Sequence, residues 1–103
     1  MQFFVYKNTN ASSLTAFPFL LDVQSNLLSE LHSCVVIPLS RVKVGQVVMT
    51  RLTPQVAIDG QDYVLNTAQL STIHRKILGA CVTDLSAKRD LFISALDFLI
   101  SGI

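Results

Sequence analysis

Few side chains in this sequence could carry chemistry, and they are scattered. His32 and His74 are the two histidines, and Arg75 adjoins the second. The serines are spread along the chain without a Gly-x-Ser-x-Gly elbow to activate one of them as a nucleophile. The four glycines lie too far apart to form a loop that cradles a phosphate. We therefore interpret both histidines as surface or loop residues without a catalytic role.

The candidate metal ligands are equally sparse. Cys34 and Cys81 have neither Cys-x-x-Cys spacing nor matching histidines, so zinc binding and thioredoxin-like redox chemistry are disfavoured. We predict two buried free thiols, because unpaired cysteine usually behaves as a small hydrophobic residue. Asp59 and Asp62 are better explained by a hairpin turn than by a cation site. The sequence predicts no metal and no cofactor.

The charge distribution argues against nucleic-acid binding. The net charge is +1 and the isoelectric point is about 7.8, so the chain lacks the basic field that phosphate neutralisation requires. The basic pairs Arg75-Lys76 and Lys88-Arg89 are interpreted as solvated surface. We expect no direct contact with nucleic acid by the protein alone.

The elements that must position these residues are short strands followed by one helix. Alternating or wholly apolar runs predict strands at Phe3 to Tyr6, Phe17 to Val23, Cys34 to Ile37, Gln55 to Ile58 and Tyr63 to Leu65. Asp59-Gly60 predicts the turn of a hairpin. Pro38 is expected to end or bend the third strand. Residues 25–31 fit either a helical turn or an irregular loop, and residues 41–49 either a weak hairpin or an ordered loop.

The C-terminal segment predicts a helix from Ser86 to Ile100, with Ser86 as its N-cap and Gly102 as its stop. At 100° per residue, one narrow stripe is polar. That stripe consists of Asp90, Ser94, Asp97 and Ser101. The rest of the surface is apolar, more than one sheet can cover, so we expect the flanks of the helix to meet a second surface.

Size and composition favour one domain over residues 1–103 that associates with itself. The chain has 103 residues, of which 50% are hydrophobic and 15% charged. A domain of this size cannot hide so much apolar surface alone, so we predict a homo-oligomer. No run approaches the ~20 apolar residues of a membrane span, and the N-terminus lacks the features of a signal peptide. We expect a cytoplasmic protein with no membrane partner.

Five collinear segments give the chain a resemblance over essentially its full length to the CcdB family, the toxins of plasmid and chromosomal toxin–antitoxin modules that poison DNA gyrase. The segments are Met1-Gln2-Phe3 with Val5-Tyr6, Asp22-Val23-Gln24-Ser25-Asn26 with two aliphatic residues, Val36-Ile37-Pro38-Leu39, Asp84-Leu85-Ser86, and the final Gly102-Ile103.

The resemblance implies a fold and an activity. The fold would be mainly β or α+β, a small five-stranded antiparallel SH3-like barrel with a C-terminal helix, shared with the Kid and MazF toxins and assembled as a homodimer. The toxin would bind the A subunit of gyrase and trap the cleaved DNA complex. A CcdA-type antitoxin would neutralise it through a disordered C-terminal segment. The protein would then not be an enzyme.

By position, the resemblance also implies the gyrase-binding residues, which would lie in the loop after the Asp-Val-Gln-Ser motif and at the end of the helix. They are Leu27, Leu28, Asp97, Ile100, Ser101, Gly102 and Ile103. The best-known member of the family has an aromatic pair before the final glycine, where this chain has Ile100 and Ser101. The irregular loops at residues 8–16 and 41–50 are candidates for antitoxin contact.

Two alternatives remain open. The chain could be a homologue that binds antitoxin but no longer poisons gyrase, because a serine cannot replace an aromatic ring stacked on a partner arginine. It could also be an endoribonuclease of the Kid or MazF kind. The residues available for that chemistry are His32, His74 and Arg75.

Overall fold

The structure, a computed structural model, describes residues 1–43 and 50–102. These residues form seven strands and one helix in the order β1 to β7 and then α1. The strands are β1 Phe4–Asn8, β2 Phe19–Asp22, β3 Ser33–Arg41, β4 Gln55–Ile58, β5 Gln61–Leu65, β6 Ser71–His74 and β7 Leu78–Asp84, and the helix α1 is Arg89–Ser101.

The strands form one antiparallel sheet that curls into a half-barrel. The helix α1 follows the last strand in the chain. The sheet order is β4-β5-β3-β2-β1-β7, and β6 pairs with β3 beside β5. The predicted class, mainly β or α+β with a C-terminal helix, is therefore confirmed. The described part of the chain has seven strands, whereas the resemblance implied five and the sequence pattern predicted neither β6 nor β7.

The predicted hairpin is β4 and β5. Ile58 pairs with Gln61 across the two-residue turn. Asp59 and Gly60 both have positive φ, 52° and 77°. These angles match the twist of the strands, and a glycine in the second position adopts them without steric cost.

The strand β3 continues through Pro38, although we expected the strand to end or bend there. One edge of β3 pairs with β2 throughout, and Leu20 faces Pro38. The other edge pairs with β6 over residues 33–36 and with β5 over residues 39–41. Pro38 lies where this edge changes partner, so its missing N–H removes no bond from either ladder.

The main core lies between the sheet and the inner face of α1. Phe92 and Ala95, which lie opposite the polar stripe of the helix, are fully buried. The Phe92 ring lies 5.4 Å from that of Phe3, which precedes β1. Alternate residues of the central strands, such as Leu21 and Ile37, complete this core. Burial of this apolar surface fixes the position of the helix on the sheet.

Local hydrogen bonds precede the helix and end it. The Asp84 carboxylate accepts a 2.8 Å hydrogen bond from the Ser86 N–H. A 3₁₀ turn over Ser86–Lys88 then leads into α1, so Ser86 is not the N-cap that we predicted. The predicted stop is confirmed, because Gly102 has φ 73° and its N–H bonds to the Phe98 carbonyl at 3.0 Å.

The two cysteines lie in different environments. Cys34 is fully buried in a second, smaller cluster with Leu20 and Val36. Cys81 is exposed, so the prediction of two buried thiols is wrong for that residue. Cys81 lies on β7, which is at one end of the sheet order among the described residues.

The described residues contain neither a membrane-spanning helix nor a cluster of metal ligands. No helix there is long and apolar enough to cross a membrane. No group of three or more His, Cys, Asp or Glu side chains in the same residues is arranged to hold a metal ion.

Candidate functional site

The turn that follows β2 is built by the side chains of the Asp-Val-Gln-Ser segment. The buried Asp22 carboxylate accepts the Gln24 N–H at 2.9 Å and pairs with the N-terminal ammonium at 3.1 Å. The Ser25 hydroxyl accepts the Leu27 N–H at 3.1 Å and starts the 3₁₀ turn Asn26–Leu28. Residues 26–28 are thus a helical turn, one of the two forms that the sequence allowed.

Gln24 closes this segment onto β3. Its amide nitrogen donates to the carbonyls of Leu28, at 3.4 Å, and Ser33, at 3.1 Å. Its amide oxygen accepts the Val35 N–H at 3.1 Å. A buried amide with all three bonds made holds the segment in one conformation. The Asp-Val-Gln-Ser motif, which contributed to the resemblance, therefore holds the turn in place.

The apolar side chains at the top of this turn face solvent. Leu27 is 93% exposed and Leu28 is 47% exposed. Exposed leucines are common singly, but a rigid turn that presents two adjacent ones forms a protruding apolar contact point. These are two of the predicted gyrase-binding residues.

Three other predicted gyrase-binding residues, Asp97, Ile100 and Ser101, lie on the last turns of α1, and Gly102 follows them. Ile100 is 79% exposed, and Asp97, Ser101 and Gly102 are also exposed. The Ser101 hydroxyl donates a 2.7 Å hydrogen bond to the Asp97 carbonyl, so it is partly satisfied within the helix. Ile103 lies outside the described residues.

The structure does not bring the turn and the helix end together within one chain. The Gln2 N–H donates to the Asn26 side chain at 2.8 Å, and the Gln2 side chain accepts from Arg89 at 3.4 Å. These contacts join the turn to the first residue of α1. At 1.5 Å per residue, Ile100 lies about 16 Å farther along the helix axis. A partner that contacts both groups of residues must span that length or engage two copies of the chain.

A second group, His32, His74 and Arg75, is brought together by β6. Ser33 pairs with His74 across β3 and β6. The His32 and His74 rings are nearly parallel, with an interplanar angle of 16° and centroids 6.0 Å apart. The Arg75 N–H donates to the His32 carbonyl at 2.8 Å. Both imidazoles are exposed.

Hydrogen bonds orient two members of this group. Arg75 Nε donates to the Leu31 carbonyl at 2.7 Å, which leaves the terminal nitrogens of the guanidinium for other partners. His74 Nδ1 accepts the Lys76 N–H at 3.1 Å, so the neutral ring carries its proton on Nε2. In the described part of the chain, the His32 ring nitrogens have no hydrogen-bond partner.

Near this group lie Cys34 and Tyr6, whose pKa values are both raised by burial. Burial and a hydrogen bond with Asp22 raise the pKa of Cys34 to about 12, although the positive charge of Arg75 opposes the rise. Burial, with Cys81 and Asp22 nearby, also raises the pKa of Tyr6. Cys34 is therefore a neutral thiol at physiological pH and offers no nucleophile.

The loops suggested for antitoxin contact are described only in part. Residues 8–16 border a half-open groove whose apolar floor includes Phe17, Pro38 and Ile73. In the second loop, residues 44–49 lie outside the described residues.

Comparison with known proteins gives the class of the fold and then the family. One matching solved structure is an endoribonuclease in complex with its cognate antitoxin from a mycobacterial species. It has a TM-score of 0.72 and 19% identity, and the match covers 97% of this chain and 93% of that one. A second is an endoribonuclease from a mycobacterial species, with a TM-score of 0.70, 19% identity, and coverage of 97% and 89%. The fold is thus one that toxin–antitoxin proteins adopt.

The family model described as CcdB protein matches residues 2–102. The chain belongs to the CcdB family, which confirms the resemblance. Comparison with curated proteins gives no significant match.

One expectation is corrected by these comparisons. From the resemblance we expected a protein that is not an enzyme. Both solved structures of the same fold are endoribonucleases, so that expectation is wrong for this fold. From the sequence, we interpreted both histidines and Arg75 as surface residues, and we named the three together only as the residues that an endoribonuclease could use. Their convergence was missed because it depends on β6, a short strand with one strongly apolar residue.

Proposed function

We propose that this chain is the toxin of a toxin–antitoxin module and that it binds the A subunit of DNA gyrase, trapping the complex of gyrase with cleaved DNA. Membership of the CcdB family supports this function. The observation that carries it is the turn after β2, where Leu27 is 93% exposed on a scaffold made by Asp22, Gln24 and Ser25.

The exposed leucines suit a protein partner. Burial of a leucine side chain contributes roughly 1.5 to 3 kcal/mol to binding, and a rigid turn loses little conformational entropy when it docks. Leu27 and Leu28 would be buried against gyrase. Polar contacts from Gln2 and Asn26 would lie at the rim.

The end of α1 would supply the second contact. Ile100, Gly102 and Ile103 would bury apolar surface and allow close approach of the backbone, and Asp97 and Ser101 would offer polar contacts. Because the Ser101 hydroxyl already bonds within the helix, we expect this contact to depend on Ile100 and on the terminal pair. Loss of poisoning with retained antitoxin binding remains the alternative that Ser101 motivates.

The proposed toxin acts in the cytoplasm as a homodimer and is neutralised by a CcdA-type antitoxin. An exposed apolar residue near the start of the helix supports self-association, since Leu91 is 37% exposed. Two copies would also place two turns and two helix ends on one assembly. That arrangement would resolve the separation of about 16 Å within one chain.

A DNA cleavage assay tests the proposal. Purified gyrase, supercoiled plasmid and ATP are incubated with the wild type, with Leu27→Asp, with a variant lacking Gly102 and Ile103, and with the control Leu14→Asp. Leu14 is 44% exposed on a different loop. We expect linear DNA with the wild type and the control, and little with the other two. Absence of linear DNA with folded wild type contradicts gyrase poisoning.

A second candidate function is RNA cleavage. It is the activity named for the two similar structures described above, and the proximity of His32, His74 and Arg75 favours it here. An imidazole can act as a general acid or base, and a guanidinium can stabilise the charge on a phosphate, in a phosphoryl transfer without a metal. Incubation of purified protein with a single-stranded RNA tests this candidate directly.

A further inference from the structure

We propose that Asn26 is a positioning residue for gyrase binding, because its side chain fixes the direction of the turn that presents Leu27. That turn is the 3₁₀ turn Asn26–Leu28, called the Leu27 turn below. The inference rests on the gyrase binding proposed above, in which Asn26 supplies only a polar contact at the rim. The role assigned here needs no contact between Asn26 and gyrase, since Asn26 acts through Leu27.

Hydrogen bonds rather than burial hold the Leu27 turn. Residues 26–32 are all exposed, so packing contributes little to their conformation. The Ser25 hydroxyl accepts the Leu27 N–H at 3.1 Å, and the Asn26 carbonyl accepts the Ser29 N–H at 3.2 Å. These two bonds are local. They shape the turn, but they do not set its direction relative to the rest of the molecule.

Two side chains attach the Leu27 turn to other parts of the chain. Gln24 holds the last residue of the turn, through a 3.4 Å bond to the Leu28 carbonyl. Asn26 holds the first residue, because its side-chain oxygen accepts the Gln2 N–H at 2.8 Å. Leu27 lies between these two attachment points. The direction of its side chain therefore depends on both of them.

The segment that Asn26 is attached to is itself fixed to the core. Phe3, next to Gln2, is 2% exposed. The Phe3 N–H donates to the Asp22 carbonyl at 2.6 Å, and the Phe3 carbonyl accepts the Leu85 N–H at 2.9 Å. The Gln2 side-chain amide also donates to the Val23 carbonyl at 3.3 Å. The bond from Gln2 thus joins the turn to a rigid support.

Loss of this attachment weakens binding through the population of the turn. A turn already held in its bound conformation loses little conformational entropy when it docks. Without the Asn26 acceptor, the turn also samples directions in which Leu27 does not reach its partner, and the apparent Kd rises in proportion. One hydrogen bond of this kind supports a rise of about 5-fold in Kd for Asn26→Ala.

A double-mutant cycle tests this role. The gyrase A subunit is titrated with the wild type, Asn26→Ala, Leu27→Ala and the double variant. A residue that acts through Leu27 matters only while Leu27 is present. Asn26→Ala should therefore raise Kd about 5-fold in the wild type but by less than about 2-fold beside Leu27→Ala. Equal effects in both backgrounds would show that Asn26 contacts gyrase directly, and would overturn the inference.

A conservative variant and a matched control separate positioning from lost stability. Asn26→Asp keeps an oxygen for the Gln2 N–H but lacks the amide donor, so its Kd should stay within about 2-fold of the wild type. A Kd as high as that of Asn26→Ala would overturn the inference. The control is Asn10→Ala, because the side-chain oxygen of the exposed Asn10 accepts the Ser12 N–H at 3.0 Å on the loop after β1. It loses the same kind of bond and should bind gyrase normally.

Backbone order parameters from NMR measure the positioning without gyrase. They should fall for residues 26–28 in Asn26→Ala and stay at wild-type values in Asn26→Asp and Asn10→Ala. Unchanged values in Asn26→Ala would contradict the role of its side chain. If folded wild type does not bind gyrase, the proposed gyrase binding fails and this inference fails with it. If the wild type binds and Asn26→Ala binds equally tightly, the inference alone is wrong.

Discussion

Substitution of Leu27 by alanine should weaken gyrase binding without affecting the fold. The side chain is 93% exposed, so its truncation removes almost no buried surface from the isolated protein. The stability should stay within about 0.5 kcal/mol of the wild type. In a complex that buries Leu27, the substitution removes three carbon atoms at about 0.8 kcal/mol each. The expected loss is about 2 kcal/mol, or roughly 30-fold in Kd.

The assay is a binding titration of the purified protein against the gyrase A subunit, paired with chemical denaturation of the same samples. Leu14→Ala is the matched control, because Leu14 is 44% exposed on the loop between β1 and β2. It should bind gyrase as the wild type does. Leu28→Ala should show an intermediate loss, because Leu28 is 47% exposed and has less surface left to bury.

Two results would refute the reasoning. Unchanged affinity for Leu27→Ala would show that the turn after β2 is outside the interface, and the gyrase contact would have to rest on the end of α1 alone. A large loss of stability in the free protein would show that Leu27 is packed in solution, for instance against a second copy.

Four further predictions concern stability and reactivity. In native protein, Ellman's reagent should modify Cys81 and not the buried Cys34, and denaturant should release the second thiol; two fast native thiols would contradict this. The pKa of Cys34 is raised to about 12 in the folded protein. The neutral thiol therefore contributes to stability below the ordinary thiol pKa of ~8.5, and this contribution should be lost as the pH rises toward 12. Denaturation curves of the wild type and Cys34→Ala at several pH values measure it. Phe92→Ala should cost about 3 to 5 kcal/mol in chemical denaturation, because it empties a fully buried position against Phe3, whereas the partly exposed Leu91→Ala should cost far less. Hydrogen bonds from Ser86 lower the pKa of Asp84, so Asp84→Ala should be less stable than the wild type at neutral pH, and the difference should shrink as pH falls below ~3.9; a difference independent of pH would show that the carboxylate charge is not involved.

The elements that were predictable from sequence are those whose pattern and local chemistry agree. The hairpin of β4 and β5 has alternating apolar residues around Asp59-Gly60, and only a tight turn with positive φ fits that pair. The polar stripe predicts the helix, and Gly102 predicts its end. In both cases the information lies within a few residues, so no tertiary contact was needed to interpret it.

The strands β6 and β7 were missed because tertiary pairing forms them. The residues of β6 are mostly exposed, and those of β7 show no clean alternation of burial. Their strand conformation comes from the edges of β3 and β1 that they complete. The same cause explains the error at Cys81, whose exposure follows from its place at the end of the sheet order. A local pattern contains no information on such edges.

The two candidate sites differ in how well they could be predicted from the sequence. Leu27 and Leu28 directly follow the Asp-Val-Gln-Ser motif, in which Gln24 and Ser25 make hydrogen bonds that form the turn. Their position could therefore be inferred from the resemblance, residue by residue. The group of His32, His74 and Arg75 spans two strands that are far apart in sequence. It exists only because Ser33 pairs with His74, and a register shift of one residue would separate it.

Both sites depend on one short segment, and this determines which substitutions are informative. Leu27 lies at the start of residues 26–32 and His32 at the end, while the Leu31 carbonyl between them holds Arg75. Gln24 fixes both ends through the carbonyls of Leu28 and Ser33. A change at Gln24 would disturb both sites at once and could not separate a gyrase contact from an RNA site. The side chains of Leu27 and His32 are exposed and do not support the segment. Substitutions at these two positions can therefore distinguish a gyrase contact from an RNA site.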